Sequence, residues 1–313
     1  MKKVTIVMPF LNEATEPIET IKSIYDTASP DLFEIIVIDD DSKHDSPDFS
    51  QFKDVKMVRN KFRIGVDGSR QLGVEMAQTP QVLIIDAHMR FKNDQWLDKL
   101  IDCVEKEPKT VWCTTCLGLG YGIMDPYKTN SKYYAATMMF LNPDATPDRP
   151  AREVLEPKWM NRQNNQEYEV PCVLGANYAI DREWYNYIGG LKGLKMWGTS
   201  EPFLSMKSWM AGGKCKITTD VEIGHVFRTN APYVTRVSSL IYNKIFLCKT
   251  ILPEELGKKL IGYLFQDSGV FKEAAAMIDF NAKLIEKEQQ YYGQILKSTI
   301  YDYCDRFKIE LPK

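Results

Sequence analysis

The sequence has no run of eighteen apolar residues, so no single segment reads as a bilayer-crossing helix. It has no basic excess either. Forty Lys and Arg stand against 42 Asp and Glu, for a net charge of −2. No global field therefore draws the chain to nucleic acid or to an anionic membrane, and any such binding would need a local patch. Histidine is scarce, with three residues in 313. The seven cysteines are odd in number and widely spread, which favours a reducing cytosol over a disulfide framework. Cys113 and Cys116 form a lone C-x-x-C, without the second pair that a structural zinc site needs. On a strand their sulfurs would point to opposite faces, so buried thiols are the better reading. A Gly- and Lys-rich phosphate loop is missing after the first apolar segment, where "PFLNEA" stands instead. That argues against a nucleotidyltransferase. The N-terminal "MKKVTIVMPFLNEA" is basic and then apolar, but it breaks at Pro9 and has no small-residue cleavage site. It reads as a core strand, not as a signal peptide.

What the sequence does have is alternation. Through the first 117 residues, "KVTIVMPF", "FEIIVID", "VKMVR", "QVLIID" and "TVWCTTCL" alternate with helical stretches near 15–27, 65–78 and 93–105. Such a pattern predicts an α/β fold with a mostly parallel, Rossmann-like sheet and helices on both faces. Residues 118–167 are rich in Gly, Pro, Asp and Asn, and are expected to form long loops, a candidate flap. Order returns at "YEVPCVLGANYAIDREWYNYIGG", as a strand, a turn and a short helix after Asp181. Beyond residue 236 the chain reads as three helical segments, 237–251, 253–265 and 285–307. The expected division is a catalytic domain, 1–236, with a helical extension, 237–313, packed on it.

Ligands of such sheets bind beyond the carboxyl ends of the strands. Asn12, Asp39, Asp40, Asp41, Asp86 and His88 all fall just past predicted strand ends and should share one rim. In "VLIIDAHMRF", Asp86 and His88 place a carboxylate and an imidazole within reach of one cation. Open N/O ligation of this kind suits Mn2+, with Mg2+ or Zn2+ as alternatives. His44, in "DDDSKHDS", reads as a solvated loop residue. His225, in "VEIGHVFR", read alone is a structural histidine.

Several motifs in order resemble a known family: "VTIVMPFLNEA", "EIIVIDDDS", "RIGVDGSRQLG", "VLIIDAHMRF", "GANYAIDREWYNYIGGLKGLKMWG", "SMKSWMAGGKCKI" and "IGHVFR" followed by Pro232-Tyr233. The chain resembles GT-A-fold glycosyltransferases of the family-2 type, most closely the catalytic domain of polypeptide N-acetylgalactosaminyltransferases. The likeness covers most of 1–236, is weaker in the tail and does not extend to 118–167. It implies a nucleoside-diphosphate sugar donor, UDP in the first instance, held through a divalent cation. Asp86, His88 and His225 stand at the family's metal-ligand positions, with Mn2+ the expected cofactor and Mg2+ the alternative. Asp40 matches the carboxylate that binds the nucleoside, and Arg63 a nucleotide-contacting arginine. Gly65 matches a glycine that lets the base approach closely. Pro9, Asn12 and Glu13 lie beside the nucleotide pocket at the end of the first strand. Ala87 and Gly175 complete the donor pocket. Trp197 matches the tryptophan of a closing loop, and Arg228 and Tyr233 match residues near the diphosphate.

The pattern breaks after Trp197. The family reads Trp-Gly-Gly-Glu-Asn; this chain reads Trp197-Gly198-Thr199-Ser200-Glu201. Ser200 replaces the glutamate that reads the sugar, which argues against N-acetylgalactosamine. Glu201 replaces the asparagine, at the position where inverting relatives carry their base. An inverting transfer needs a base for the acceptor hydroxyl proton, so Glu201 is the expected catalytic residue. The alternatives are that Glu201 only favours a helix N-terminus, and that the enzyme is retaining. The acceptor is expected to bear a hydroxyl, on a peptide or protein or on a saccharide. A hydroxymethylated base of DNA is a further option, although the segment 226–313 holds only 13 Lys and Arg against 10 Asp and Glu. A nucleotide-sugar-binding protein without catalysis is the reading of another class. Neither the membrane anchor nor the lectin domain usual for the resembled family is seen, so the expectation is a compact cytoplasmic protein, in the host cytoplasm if viral.

Overall fold

The computed structural model describes residues 1–44, 46–120, 131–142, 154–161, 167–228 and 231–312. The elements run β1 (Val4–Phe10), α1 (Glu16–Tyr25), β2 (Phe33–Asp39), β3 (Val55–Arg59), α2 (Gly65–Met76), β4 (Gln81–Ile85), β5 (Met89–Arg90) and α3 (Trp96–Lys106). Then come β6 (Thr110–Gly120), β7 (Ser131–Tyr133), β8 (Ala136–Leu141), β9 (Val154–Trp159), β10 (Glu167–Glu169), β11 (Asn177–Asp181), α4 (Arg182–Tyr187), α5 (Ser200–Met210) and β12 (Lys214–Phe227). The tail holds α6 (Val237–Ile251), α7 (Glu254–Gly262), α8 (Gly269–Phe280), α9 (Ala282–Ile295) and α10 (Ile300–Phe307).

The first strand is apolar throughout because it lies inside the sheet, parallel to β2 on one side and β4 on the other, with every residue buried. Helix α2 packs on it through Gly73, where a Cβ would come within 2.3 Å of Val7 Cγ1. Such close packing brings the start of α2 to the carboxyl end of β1.

The order β10-β12-β6-β11-β4-β1-β2-β3 corrects the expected mostly parallel sheet. The run β3-β2-β1-β4 is parallel, as is β6 with β12. Between these halves lies β11, antiparallel to both β4 and β6. The short β5 folds back antiparallel on β12. Strand β12 slips register against β6 between Thr218 and Glu222. Residues 219–221 of β12 have no partner on β6 there, and pairing resumes at Glu222 with the half that carries His225.

Two further expectations change. Residues 118–167 are not simply loop. Their described parts extend β6 to Gly120 and form β7, β8, β9 and β10, with β8 and β9 a separate antiparallel pair. The stretches 121–130, 143–153 and 162–166 of the candidate flap lie outside the described residues. In the tail, α8 is an additional helix, and the segment 285–307 is two helices. The break has a local cause: Thr299 and Asp302 form a capping box that restarts the chain as α10, while Lys297 and Ser298 donate to Met210 O. The tail packs against the rest of the chain. Tyr292 sits edge-on to Phe203 at 5.8 Å, and Tyr303 donates to Pro171 O at 2.8 Å. Cys113 and Cys116 are buried on β6, and burial pushes both thiols up to about 12. His44 is exposed, as expected.

Candidate active site

The turn after β4 is pinned from below. Thr20 on α1 is fully buried, and its hydroxyl bonds Ala87 O at 2.8 Å and the Met89 N–H at 2.9 Å. Asp86 N–H donates to Ala176 O. With the backbone fixed on both sides, Asp86 and His88 project from a rigid turn. Histidine 225 reaches them through sheet pairing: it stands opposite Met89 in the β5–β12 ladder, and Val226 N–H donates to His88 O. The two imidazoles lie edge to face, 4.7 Å between centroids. One donor atom from each of Asp86, His88 and His225 lies within 4.8 Å of the other two. Asp86 Oδ2 is 3.4 Å from His225 Nε2.

Glu13 supports this cluster. It forms a bidentate pair with Arg228, and its Oε2 lies 3.4 Å from His88 Nδ1. The carboxylate and Arg228 Nη2, which lies 3.2 Å from the same ring nitrogen, together orient the imidazole and leave Nε2 for a ligand. Arg228 spends its charge on Glu13, so it contributes to a neutral pair and not to a free positive charge. Burial would raise the Glu13 carboxyl, but the His88 and Arg228 contacts hold it below its ordinary value. Burial likewise opposes ionisation of Asp86, yet His225 and the Arg70 guanidinium keep it well below the usual carboxylate range. Burial lowers His225, which favours the neutral imidazole that a metal requires. Two imidazoles and one ionised carboxylate form a donor set suited to Mn2+.

Arg70 is the site residue that the sequence reading missed. It sits on α2, almost wholly buried, and donates to Asp86 Oδ1 at 2.9 Å, Gly175 O at 3.0 Å and Glu201 Oε1 at 3.0 Å. Glu201 stands in the first turn of α5, and Ser200 also donates to its Oε1, at 3.2 Å. Gly175 makes room for it: a Cβ there would lie 2.5 Å from Glu201 Oε1. Asp67, one turn before Arg70, is fully buried with no hydrogen bond to either carboxylate oxygen and Arg70 4.0 Å away.

The neighbouring side chains are tied down as well. Asp40 accepts from the Ile64 and Gly65 N–H groups and from Asn60, so it caps the start of α2. Arg63 lies over the Tyr233 ring at 5.5 Å and donates to Val234 O. Gly65 has φ +87, and a Cβ there would meet Met196 Cα at 2.0 Å. The close approach is therefore made by the chain's own loop. Asn12 bonds the Ser42 hydroxyl and the Lys43 N–H, as a loop staple. Trp197 is 41% exposed, on a loop whose carbonyls at Lys195 and Gly198 accept from the buried amide of Asn243 on α6.

These groups enclose a cavity of about 430 Å³, a volume usual for a small-molecule site. Of the fifteen expected site residues all but Asn12 and Gly65 line it: Glu201, the metal cluster, Pro9, Glu13, Asp40, Arg63, Ala87, Gly175, Trp197, Arg228 and Tyr233. Trp159 and Phe227 add an aromatic wall, 5.6 Å between centroids, that no motif announced.

Human polypeptide N-acetylgalactosaminyltransferase 10 is 27% identical over 238 residues, covering 73% of this chain and 38% of the relative. Polypeptide N-acetylgalactosaminyltransferase 11 of Xenopus tropicalis is 29% identical over 247 residues, covering 73% and 39%. The chain thus spans about two-fifths of the length of these curated relatives. A crystal structure of GalNAc-T7 with UDP, GalNAc and Mn2+ superposes with a TM-score of 0.63 at 18% identity, covering 99% of this chain and 59% of that one. It shares the fold. Residues 5–189, more than half of the chain, match the family described as "Glycosyl transferase family 2", and the protein belongs to that family.

Proposed function

We propose that the protein transfers a sugar from a UDP-sugar to an acceptor hydroxyl with inversion at the anomeric carbon, Glu201 acting as base. One observation carries this reading: the Glu201 carboxylate lies on the cavity wall, joined through Arg70 to Asp86 of the metal cluster. A base and a leaving-group site thus share one scaffold. Asp86, His88 and His225 would hold Mn2+, with Mg2+ as the alternative; when bound, the ion supplies positive charge to the departing diphosphate. Glu201 Oε1 is occupied by Arg70 and Ser200, which orients the carboxylate and leaves Oε2 for the incoming hydroxyl proton. Arg63 and Tyr233 form the nucleotide side of the pocket, with Asp40 holding the backbone beneath. Ser200, not a carboxylate, stands at the sugar-reading position, which points away from N-acetylgalactosamine.

The unit in this reading is 1–236, with 237–313 as an extension that anchors the Trp197 loop through Asn243. A reducing, cytoplasmic setting is part of the proposal, supported by six of the seven cysteines being buried thiols.

The test is Glu201→Gln. Calorimetry with UDP and Mn2+ should give near wild-type affinity, while transfer and release of UDP cease. Continued turnover by Glu201→Gln would remove the base. Absence of any glycosylated product from wild-type protein across saccharide, peptide and DNA acceptors would favour a binding protein instead.

A further inference from the structure

A smaller cavity of about 130 Å³ opens beside the first. The two share Glu156, Pro157, Trp197 and Glu201, so they meet at the proposed base. No metal-cluster residue lines the smaller one, whose own walls include Leu155, Thr199 and Leu240.

Its walls are held in place. Lys244 on α6 is fully buried and bonds both Val154 O and Glu156 Oε1, fixing that carboxylate at the junction. Leu155 and Thr199 take left-handed backbone conformations, φ +52 and +72. Branched side chains adopt this geometry only where the surroundings impose it. None of these features follows from the metal cluster or the nucleotide side.

We infer that this side pocket binds the acceptor, and that the acceptor is a saccharide ring. The inference rests on the transferase reading above. An inverting displacement brings the hydroxyl to the anomeric carbon on the face away from the diphosphate, and the side pocket reaches Glu201 without touching a metal-cluster residue. In the step, the acceptor O–H proton passes to Glu201. The oxygen forms a bond to the anomeric carbon as the bond from that carbon to the diphosphate oxygen breaks. The electron pair leaves with the nucleoside diphosphate.

The chemistry of the walls selects the class. At 130 Å³ the pocket falls well below the ~300 Å³ at which drug-sized ligands begin to be enclosed. One ring fits. The apolar walls of Leu155, Leu240 and Trp197 beside the carboxylates of Glu156 and Glu201 suit a pyranose, which has a C–H face for the first and hydroxyls for the second.

The test uses the full chain with Mn2+ and UDP-sugars, offered mono- and oligosaccharides, Ser/Thr peptides, and DNA containing hydroxymethylcytosine. Wild-type protein should glycosylate a saccharide. Leu240→Trp, which fills the side pocket, should raise the acceptor KM about tenfold or more, while the calorimetric Kd for UDP stays near the wild-type value. Leu240→Phe, a smaller intrusion, is read in its place if the tryptophan variant no longer binds UDP. An unchanged acceptor KM in a variant that still binds UDP would overturn the pocket assignment. Transfer to peptide or DNA with none to saccharides would overturn the class. A wild-type protein that binds UDP with Mn2+ and makes no product overturns the transferase reading itself, and the acceptor pocket with it.

Discussion

Asp86 and Glu201 are bound by the same guanidinium: Arg70 reaches Asp86 Oδ1 at 2.9 Å and Glu201 Oε1 at 3.0 Å. One side of the cavity carries the metal cluster and another the proposed base, and a buried cation sets the spacing between them. Removing it leaves two carboxylates partly desolvated and unpaired. Arg70→Leu is expected to cost about 3 to 5 kcal/mol of stability, read by chemical denaturation. Arg70→Lys should keep part of the stability and still lose transfer, because an ammonium cannot reproduce the planar fork that meets both acceptors. Equal transfer rates in Arg70→Lys and wild type would show that the spacing does not matter.

The residues that act through backbone placement are harder to read in the sequence than those that act through side-chain chemistry. The strand ending in Asp86 and His88 is visible because an apolar run stops at two donors. His225 needs the family resemblance, because its partner strand β5 is only two residues long and carries no periodic signal. Strand β11 is a short buried segment whose direction composition does not encode; its antiparallel insertion makes the sheet mixed. Arg70 is illegible for a different reason. Helix α2 buries Asp67, Ser69, Arg70 and Gln71, so its inward face is polar and resembles a solvated one. The available signal is negative: three glycines on a short helix, including the one pressed against Val7. A helix that close to a sheet cannot keep its neighbouring side chains in solvent.

Thr20 gives a second test of backbone placement. Thr20→Val keeps the shape but removes the hydroxyl that holds Ala87 O and the Met89 N–H. Leaving that N–H buried without its acceptor should cost about 1 to 3 kcal/mol. The turn also carries His88, so Mn2+ affinity should weaken by roughly tenfold, as for other losses of outer support around a metal. Calorimetric titration with Mn2+ measures this, and an unchanged affinity would mean that the ladder to β12 fixes the turn unaided.

Asp67 predicts an unusual pH dependence. Burial pushes its carboxyl up to about 8 from an ordinary 3.8; the negative charge of Glu201 adds to the rise, and Arg70 opposes it. Between those values the folded chain holds a proton that the unfolded chain has lost. Stability from this group is therefore full below pH 4 and is lost as pH rises towards 8. Asp67→Asn cannot ionise and should lack this slope. Its stability relative to wild type should grow between pH 5 and pH 8 by on the order of a few kcal/mol, followed by urea denaturation across that range. A constant difference would place Asp67 in an ordinary ionised state.

Thr199 caps α5 with φ +72 and a buried hydroxyl that has no partner. The resembled family has glycine at this position, and the backbone here keeps the glycine geometry under a β-branched side chain. The left-handed conformation costs about 1 to 2 kcal/mol for a residue with a Cβ, against the roughly 0.5 to 1 kcal/mol of extra chain entropy that glycine loses on folding. Thr199→Gly should therefore raise stability by about 0.5 to 1 kcal/mol, seen as a higher urea midpoint with an unchanged slope. Thr199→Ala removes the hydroxyl but keeps a Cβ, so its gain should be smaller. If alanine stabilises as much as glycine, the unpartnered hydroxyl is the cost and the backbone is not strained. If neither stabilises, the contacts of Thr199 in the side pocket outweigh both, and the loop between Trp197 and Glu201 is held by that side chain.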